Sequence, residues 1–209
     1  MKKRIILIVM FVISLMLYAK RDYSEEMLNI GSDAFLLAKI TAMRGSILVR
    51  PTEKDSMLVY CVKSAKEGFS AESVRVNVNK SDSGYIFIDC VFPSGDGEFM
   101  GNLEILLPKN ISVESIYTEE GDINLEANYF ASDTVRVKTI KGSIMFTAGE
   151  DINAEIIMTS EPQTVLADSA DSCSSCSDCP SKQKEKRILL NEGKSKVILT
   201  VVEGTITTK

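Results

Sequence analysis

Three cysteines in the segment DSCSSCSDCPSK are the residues best placed to do chemistry. Cys173, Cys176 and Cys179 form two overlapping C-x-x-C pairs, which suit one metal ion or cluster when a fourth ligand is near. The chain of 209 residues has no histidine and only five cysteines, so the fourth thiolate would have to come from Cys61 or Cys90. The segment therefore predicts a metal site, or a local disulfide with one thiol left over, or a loop without a specific role.

The sequence around these cysteines is typical of an inserted loop, because Ser, Asp and Lys are frequent in residues 168–187. Outside the cytoplasm thiols tend to oxidise, and an odd number of cysteines leaves a free thiol or an intermolecular bridge if the rest pair. Cys90 continues the apolar alternation of Ile86 and Ile88, which predicts a small buried hydrophobe. A bridge between Cys61 and Cys90 on neighbouring strands is the alternative.

The composition supplies no catalytic set of residues. Without histidine, Ser-His-Asp hydrolysis, imidazole acid/base chemistry and His-ligated zinc are excluded within this chain. Carboxylates gather at predicted turns, at residues 119–122, at residues 150–151 and at Glu203, but they match no calcium loop and we interpret them as solvated charge. A net charge of −5 argues against nucleic acid as the main partner. We therefore predict no enzyme activity, no cofactor and no committed metal site.

The first residues form a targeting segment. MKKR is a positive n-region, and residues 5–19 are an uninterrupted apolar run of fifteen residues, whereas a membrane-spanning helix needs about 20. Ala19 can precede a cleavage site, but Leu17 is larger than the residue preferred there, so a cleaved signal peptide and an uncleaved anchor both stay open. Basic residues ahead of the run place the rest of the chain outside the cytoplasm, in the periplasm, the cell envelope or at the cell surface.

A ten-residue motif occurs four times, as ITAMRGSILV, IYTEEGDINL, VKTIKGSIMF and LTVVEGTITT. Each copy has glycine at the sixth place and isoleucine at the eighth, with alternating inward candidates on both sides. When two successive strands keep the same face inward on both sides of a glycine, the chain turns a corner at that glycine. Gly45, Gly121, Gly142 and Gly204 are therefore predicted as structural corners, and the 21 residues from Gly121 to Gly142 fit a stacked repeat.

Short runs rich in β-branched residues fill the chain beyond the N-terminus, and no run of a dozen keeps a helical period. We predict an all-β protein, a single-stranded parallel β-solenoid or β-helix-like roll with a hairpin-rich N-terminal half. The alternative is an antiparallel β-sandwich, whose hairpins also turn at glycine. The predicted parts are a signal segment at 1–19, a polar linker at 20–34, and a β-repeat domain at 35–209 with the cysteine-rich loop at 168–187.

The order of these motifs resembles the bacterial putative adhesin family, a β-strand-repeat domain of exported envelope proteins. The matching features are an early RGSILV, the strands DSMLVYCVK and VRVNVNKSDSGYIFID, the proline-ended strand within LEILLPKNISVESI, and the repeats EEGDINL and KGSIMF. The similarity covers residues 35–209 and implies a β-solenoid-like fold, export, and a binding or structural role, with no catalytic residues to carry over. The cysteine-rich loop and the glycine missing near Pro162 depart from the family pattern.

The sequence favours a non-enzymatic exported envelope protein with an adhesin-like binding or structural role on its β-repeat surface. Its partner would be an envelope component, a surface glycan or a protein, and membrane contact would come only through an uncleaved N-terminal segment. Two alternatives stay open, a polysaccharide-active enzyme built on a β-helix and a thiol or metal protein acting through the loop from Cys173 to Cys179.

Overall fold

The structure, a computed structural model, describes residues 21–31, 36–95, 98–128, 130–149, 152–160, 184–190 and 193–208. Within these ranges the chain is all-β, as predicted, and its one helical turn is a short 3-10 turn at Ala71–Ser73. No helix in these ranges is long and apolar enough to cross a bilayer. The predicted signal segment at 1–19 lies outside the described residues.

Fifteen strands follow one another along the described chain. They are β1 (Arg21–Gly31), β2 (Leu36–Arg44), β3 (Ile47–Pro51), β4 (Ser56–Lys66), β5 (Arg75–Ser81), β6 (Tyr85–Val91), β7 (Met100–Leu107), β8 (Ile111–Glu120), β9 (Ile123–Ala127), β10 (Thr134–Lys141), β11 (Ile144–Ala148), β12 (Ala154–Ser160), β13 (Lys184–Leu190), β14 (Ser195–Glu203) and β15 (Ile206–Thr208).

The strands form two sheets that share one hydrophobic core. The seven-stranded sheet has the order β1-β4-β7-β3-β9-β11-β15, and the eight-stranded sheet has the order β13-β12-β14-β10-β8-β2-β6-β5. Neighbouring strands are parallel through the middle of each sheet, whereas β1, β4 and β7 pair antiparallel, as do β5 with β6 and β12 with β13. Both sheets are therefore mixed.

Five pairs of strands lie over one another as rungs, each with one strand in either sheet. They are β6 with β7, β2 with β3, β8 with β9, β10 with β11, and β14 with β15. The parallel register aligns equivalent side chains, so that Ile40, Ile116, Val137 and Leu199 are partners on four neighbouring strands. All four are buried, and they form one apolar column between the sheets, which holds the rungs in register.

The predicted single-stranded parallel solenoid is not confirmed. A solenoid would stack its rungs in chain order, but β8 returns to lie beside β2, and β14 lies between β10 and β12. Antiparallel strands also flank the rungs, with β1 and β4 beyond β7, β5 beyond β6, and β13 beyond β12. The sandwich alternative fits the two facing sheets, although the centre of each sheet is parallel rather than antiparallel.

The polar stretch at 20–34, predicted as a linker, contains the edge strand β1. This strand pairs antiparallel with β4 along its whole length. Leu28 and Ile30 pack against the core from one face, while Tyr23 and Met27 are exposed on the other. A strand at the edge of a sheet needs only one apolar face. The apolar residues of this segment were too few to predict a strand from the sequence.

The predicted cysteine-rich loop at 168–187 lies mostly outside the described residues. Its last four residues open β13, which pairs antiparallel with β12 so that Ser160 lies opposite Lys184. The chain therefore leaves and re-enters the eight-stranded sheet at the same place.

Candidate functional site

The four predicted corner glycines lie in line between the two sheets. Gly45, Gly121, Gly142 and Gly204 all have positive φ angles, from 127° to 154°. A Cβ atom on Gly45 would collide with the carbonyl of Gly101, and one on each later glycine would collide with the carbonyl of the glycine before it. Both the backbone conformation and this close approach exclude a side chain, so these glycines fix the spacing of the rungs.

Two buried threonines donate hydrogen bonds to carbonyl groups of the corner glycines. Thr118 donates from Oγ1 to the Gly45 carbonyl at 3.3 Å, and Thr139 donates to the Gly121 carbonyl at 2.9 Å. These two threonines are register partners on neighbouring strands. Thr159 on β12 pairs with Thr200 and lies outside this row, because β14 and not β12 follows β10 in the sheet.

The carboxylates near the corners bind cations of the chain itself. Glu120 accepts from Arg44 at 3.3 Å and lies 3.7 Å from the Nζ of Lys141. Asp122 accepts a 2.8 Å hydrogen bond from the backbone N–H of Ser143. Within the described ranges no group of three acidic or cysteine side chains is arranged to hold a metal ion.

Of the five cysteines, the two outside the predicted loop have described positions. Cys61 on β4 and Cys90 on β6 are both buried. Their strands belong to opposite sheets and are not neighbours, which corrects the predicted arrangement. Cys173, Cys176 and Cys179 lie outside the described residues, so the structure does not bring them to any site.

A cleft of about 430 Å³ lies at the end of the sandwich away from the corner glycines. It opens where β3, β7 and β9 end and where β8 begins. Its floor is apolar and is formed by Leu107, Pro108, Ile111, Val113, Leu125, Ala127 and Phe130. We call this feature the end cleft. A concave apolar floor with a few polar groups at the rim is the usual form of a binding site.

Two prolines help to create the end cleft. Pro51 is the last residue of β3, and Pro108 directly follows β7. Proline has no backbone N–H and cannot continue a ladder, so these neighbouring strands stop together and leave the space between the sheets uncovered. Phe130 closes one side, with its ring stacked on that of Phe146 at a centroid distance of 6.0 Å.

The rim of the end cleft carries two ion pairs. Arg50 lies 3.2 Å from the carboxylate of Glu126, and Lys109 lies 2.8 Å from that of Glu53. The hydrogen bond and charge of Glu53 raise the pKa of Lys109, which keeps its ammonium group protonated and unfit as a base. The four charges cancel, so the rim favours neither a strongly anionic nor a strongly cationic occupant.

The end cleft also offers two hydroxyl groups. Among the described residues that line it, Thr52 and Ser112 carry these hydroxyls. The Ser112 hydroxyl already accepts from the backbone N–H of Ala131 at 3.2 Å. Sequence reasoning missed this cleft, although two neighbouring strands that end at prolines could have indicated an open end.

The solved structures that match this chain include two bacterial proteins. A crystal structure described as a putative cell adhesion protein from Clostridium sporogenes matches with a TM-score of 0.54 and 10% sequence identity, over 90% of this chain and 99% of that one. A second, described as a putative adhesin from Bacteroides fragilis, has a TM-score of 0.28 and 11% identity, over 89% of this chain and 97% of that one. No protein-family model and no curated protein sequence matches.

The first of these structures establishes the fold. Its similarity extends over nearly the whole length of both chains. The resemblance to adhesin-like proteins that the sequence motifs predicted is therefore confirmed as a likeness of fold. At 10% identity it carries no residue roles across.

Proposed function

We propose that this chain is an exported, non-enzymatic envelope protein with an adhesin-like binding role. The charged and apolar N-terminal segment supports export, and the fold likeness to a protein described as a putative cell adhesion protein supports the role. The observation that carries the proposal is the end cleft, because it has an apolar floor but no nucleophile paired with a base.

The end cleft is suited to an uncharged, apolar part of a surface partner. Its floor offers Leu107, Ile111 and Leu125 as contacts, while the ion pairs of the rim are already satisfied by one another. A cleft of about 430 Å³ accommodates a few apolar side chains, or the apolar face of a sugar, of a larger envelope molecule.

The variant Ala127→Leu tests this site. Ala127 is buried at the wall of the cleft, and a leucine there would fill part of the space. We expect the neutral apolar dye Nile red to gain fluorescence with the unaltered protein and to bind Ala127→Leu on the order of tenfold more weakly. Ala131→Leu, an exposed position outside the cleft wall, is the matched control and should bind as the unaltered protein does.

The role itself is tested in cells. Deleting the gene should reduce attachment to surfaces, and the unaltered gene and its Ala131→Leu variant should restore it, whereas Ala127→Leu should not. Equal attachment by all strains would remove the adhesin-like role. Turnover of a polysaccharide by the purified protein would show instead that the chain is an enzyme.

A further inference from the structure

The two buried cysteines face each other across the sandwich. Cys61 points inward from the seven-stranded sheet and is 0% exposed, and Cys90 points inward from the eight-stranded sheet and is 3% exposed. Between them lies Gly101 of β7. A Cβ atom on Gly101 would collide with the Sγ of Cys90 and lie 3.6 Å from the Sγ of Cys61. The two sulfur atoms thus share the space that a side chain at position 101 would occupy.

The two thiols lie close enough to affect each other's ionisation. Their interaction lowers the pKa of Cys61, with help from the nearby Lys63 ammonium, and raises that of Cys90. Lys63 is itself buried and is paired with Glu26. Cys61 is therefore the better nucleophile of the pair, because the thiolate is the reactive form.

We propose that Cys61 and Cys90 are a disulfide site that joins the two sheets once the chain is outside the cytoplasm. A disulfide requires two cysteines whose side chains approach each other closely, and the absent side chain of Gly101 leaves room for both sulfur atoms. The pair lies one strand in from the edge strands β1 and β5. The bond would tie together the antiparallel end of the sandwich, which lacks the line of corner glycines.

The oxidant is a disulfide of low molecular weight, such as oxidised glutathione. The Cys61 thiolate attacks one sulfur of the reagent and releases the other as a thiol, which leaves a mixed disulfide on Cys61. The Cys90 thiolate then attacks the Cys61 sulfur, and the second reagent thiol leaves. Two electrons pass from the protein to the reagent, and the protons of Cys61 and Cys90 end on the two released thiols. Because both sulfurs are buried, the exchange takes place during folding or after local opening of the edge strands.

Peptide mapping decides whether the bond forms. The purified chain is refolded with oxidised glutathione, its remaining thiols are alkylated in denaturant with N-ethylmaleimide, and it is digested without reduction. We expect the peptides that contain Cys61 and Cys90 as one linked species, lighter by two hydrogens than the separate peptides. N-ethylmaleimide on both residues, or linkage of either one to Cys173, Cys176 or Cys179, would overturn the proposal.

Thermal unfolding of cysteine variants provides a second readout. In a variant with Cys173, Cys176 and Cys179 all changed to Ser, reduction with dithiothreitol should lower the melting temperature by about 10 °C. Adding Cys61→Ala or Cys90→Ala should abolish the difference between oxidised and reduced samples. If the difference survives in either added variant, or is absent in the triple variant, the bond is not the one proposed. Should an added variant not fold, the peptide map of the unaltered chain still decides.

Discussion

At the scale of single residues, the fold depends on two kinds of position. At some there is no room for a side chain, and at others a buried charge needs a partner of opposite charge. The corner glycines leave no room for a side chain, because each lies against the carbonyl of the corner glycine before it or, for Gly45, against that of Gly101. Lys63 is a buried residue whose charge needs a partner. Its ammonium group is buried beside Glu26, on β1, and a buried charge without a partner costs several kcal/mol.

We expect Gly45→Ala to lower the free energy of unfolding by about 3 kcal/mol, because it combines an unfavourable φ angle with a backbone collision. Two glycines separate these causes. Gly84 has a φ of +83°, but a Cβ atom added there would meet no other atom within 4 Å, so Gly84→Ala should cost only about 1 kcal/mol. Gly31→Ala, with nothing within 4 Å and no positive φ, should stay within about 0.5 kcal/mol. Urea unfolding measures all three.

The buried ion pair gives an asymmetric prediction. Glu26→Leu leaves the Lys63 ammonium buried and unpaired, and it should lower the free energy of unfolding by about 3 kcal/mol. Lys63→Met removes the buried charge and leaves Glu26, with 31% of its side chain exposed, accessible to water. This second change should cost less than about 1 kcal/mol. Equal losses in urea unfolding would contradict this account of the pair.

At the scale of elements, the rung is the unit of construction. In the four rungs that have a corner glycine, a strand of the eight-stranded sheet leads to the corner. In β8 and β10 the third residue before the glycine donates to the carbonyl of the preceding corner glycine. Threonine occupies this place in two rungs. In β14 the equivalent position is occupied by Val201, which pairs in register with Thr139 and is fully buried.

We therefore expect Val201→Thr to be tolerated, with a change in the free energy of unfolding between zero and a gain of about 1 kcal/mol, because the new hydroxyl can donate to the Gly142 carbonyl. Val137→Thr is the matched control. Val137 is equally buried but lies two residues before Thr139, away from the corner, and its hydroxyl would have no corner carbonyl to bind. The control should cost about 2 kcal/mol in urea unfolding, and a similar loss in Val201→Thr would refute the role of this place.

The rungs could be predicted from the sequence because glycine corners and alternating residues are local signals. Val135, Val137 and Ile144 alternate around Gly142 in the sequence as they do in the structure. The order of the rungs could not be predicted, because an apolar strand that fits beside β2 fits almost equally well beside any other. The end cleft depends on that order, since Pro51 and Pro108 are far apart in sequence and adjacent only when β3 pairs with β7.

At the scale of the whole molecule, the sandwich must protect its open edges. An exposed edge of unpaired backbone groups is a template for association with another chain. β1 covers β4 along its full length and includes two acidic residues, Glu25 and Glu26, whose side chains lie on opposite faces of the sheet. The polar character that makes this segment look like a linker is also what keeps an edge strand from pairing further.

Removing residues 1–33 should consequently expose β4 and make the protein self-associate. We expect dimers or larger species by light scattering at concentrations where the control, which lacks only residues 1–19, is monomeric. The shortened chain also loses the carboxylate that pairs with Lys63. A shortened chain that remains monomeric and stable would show that β1 is dispensable for covering the edge.

The placement of β8 beside β2 has a consequence for synthesis. The β2–β3 rung has its neighbours in β6–β7 and β8–β9, so its second flank does not exist until residue 127 has left the ribosome. A nascent chain of this kind stays without a finished sheet for more than half its length, and that delay accords with the proposed export, in which a chain threads through a secretion pore before it folds.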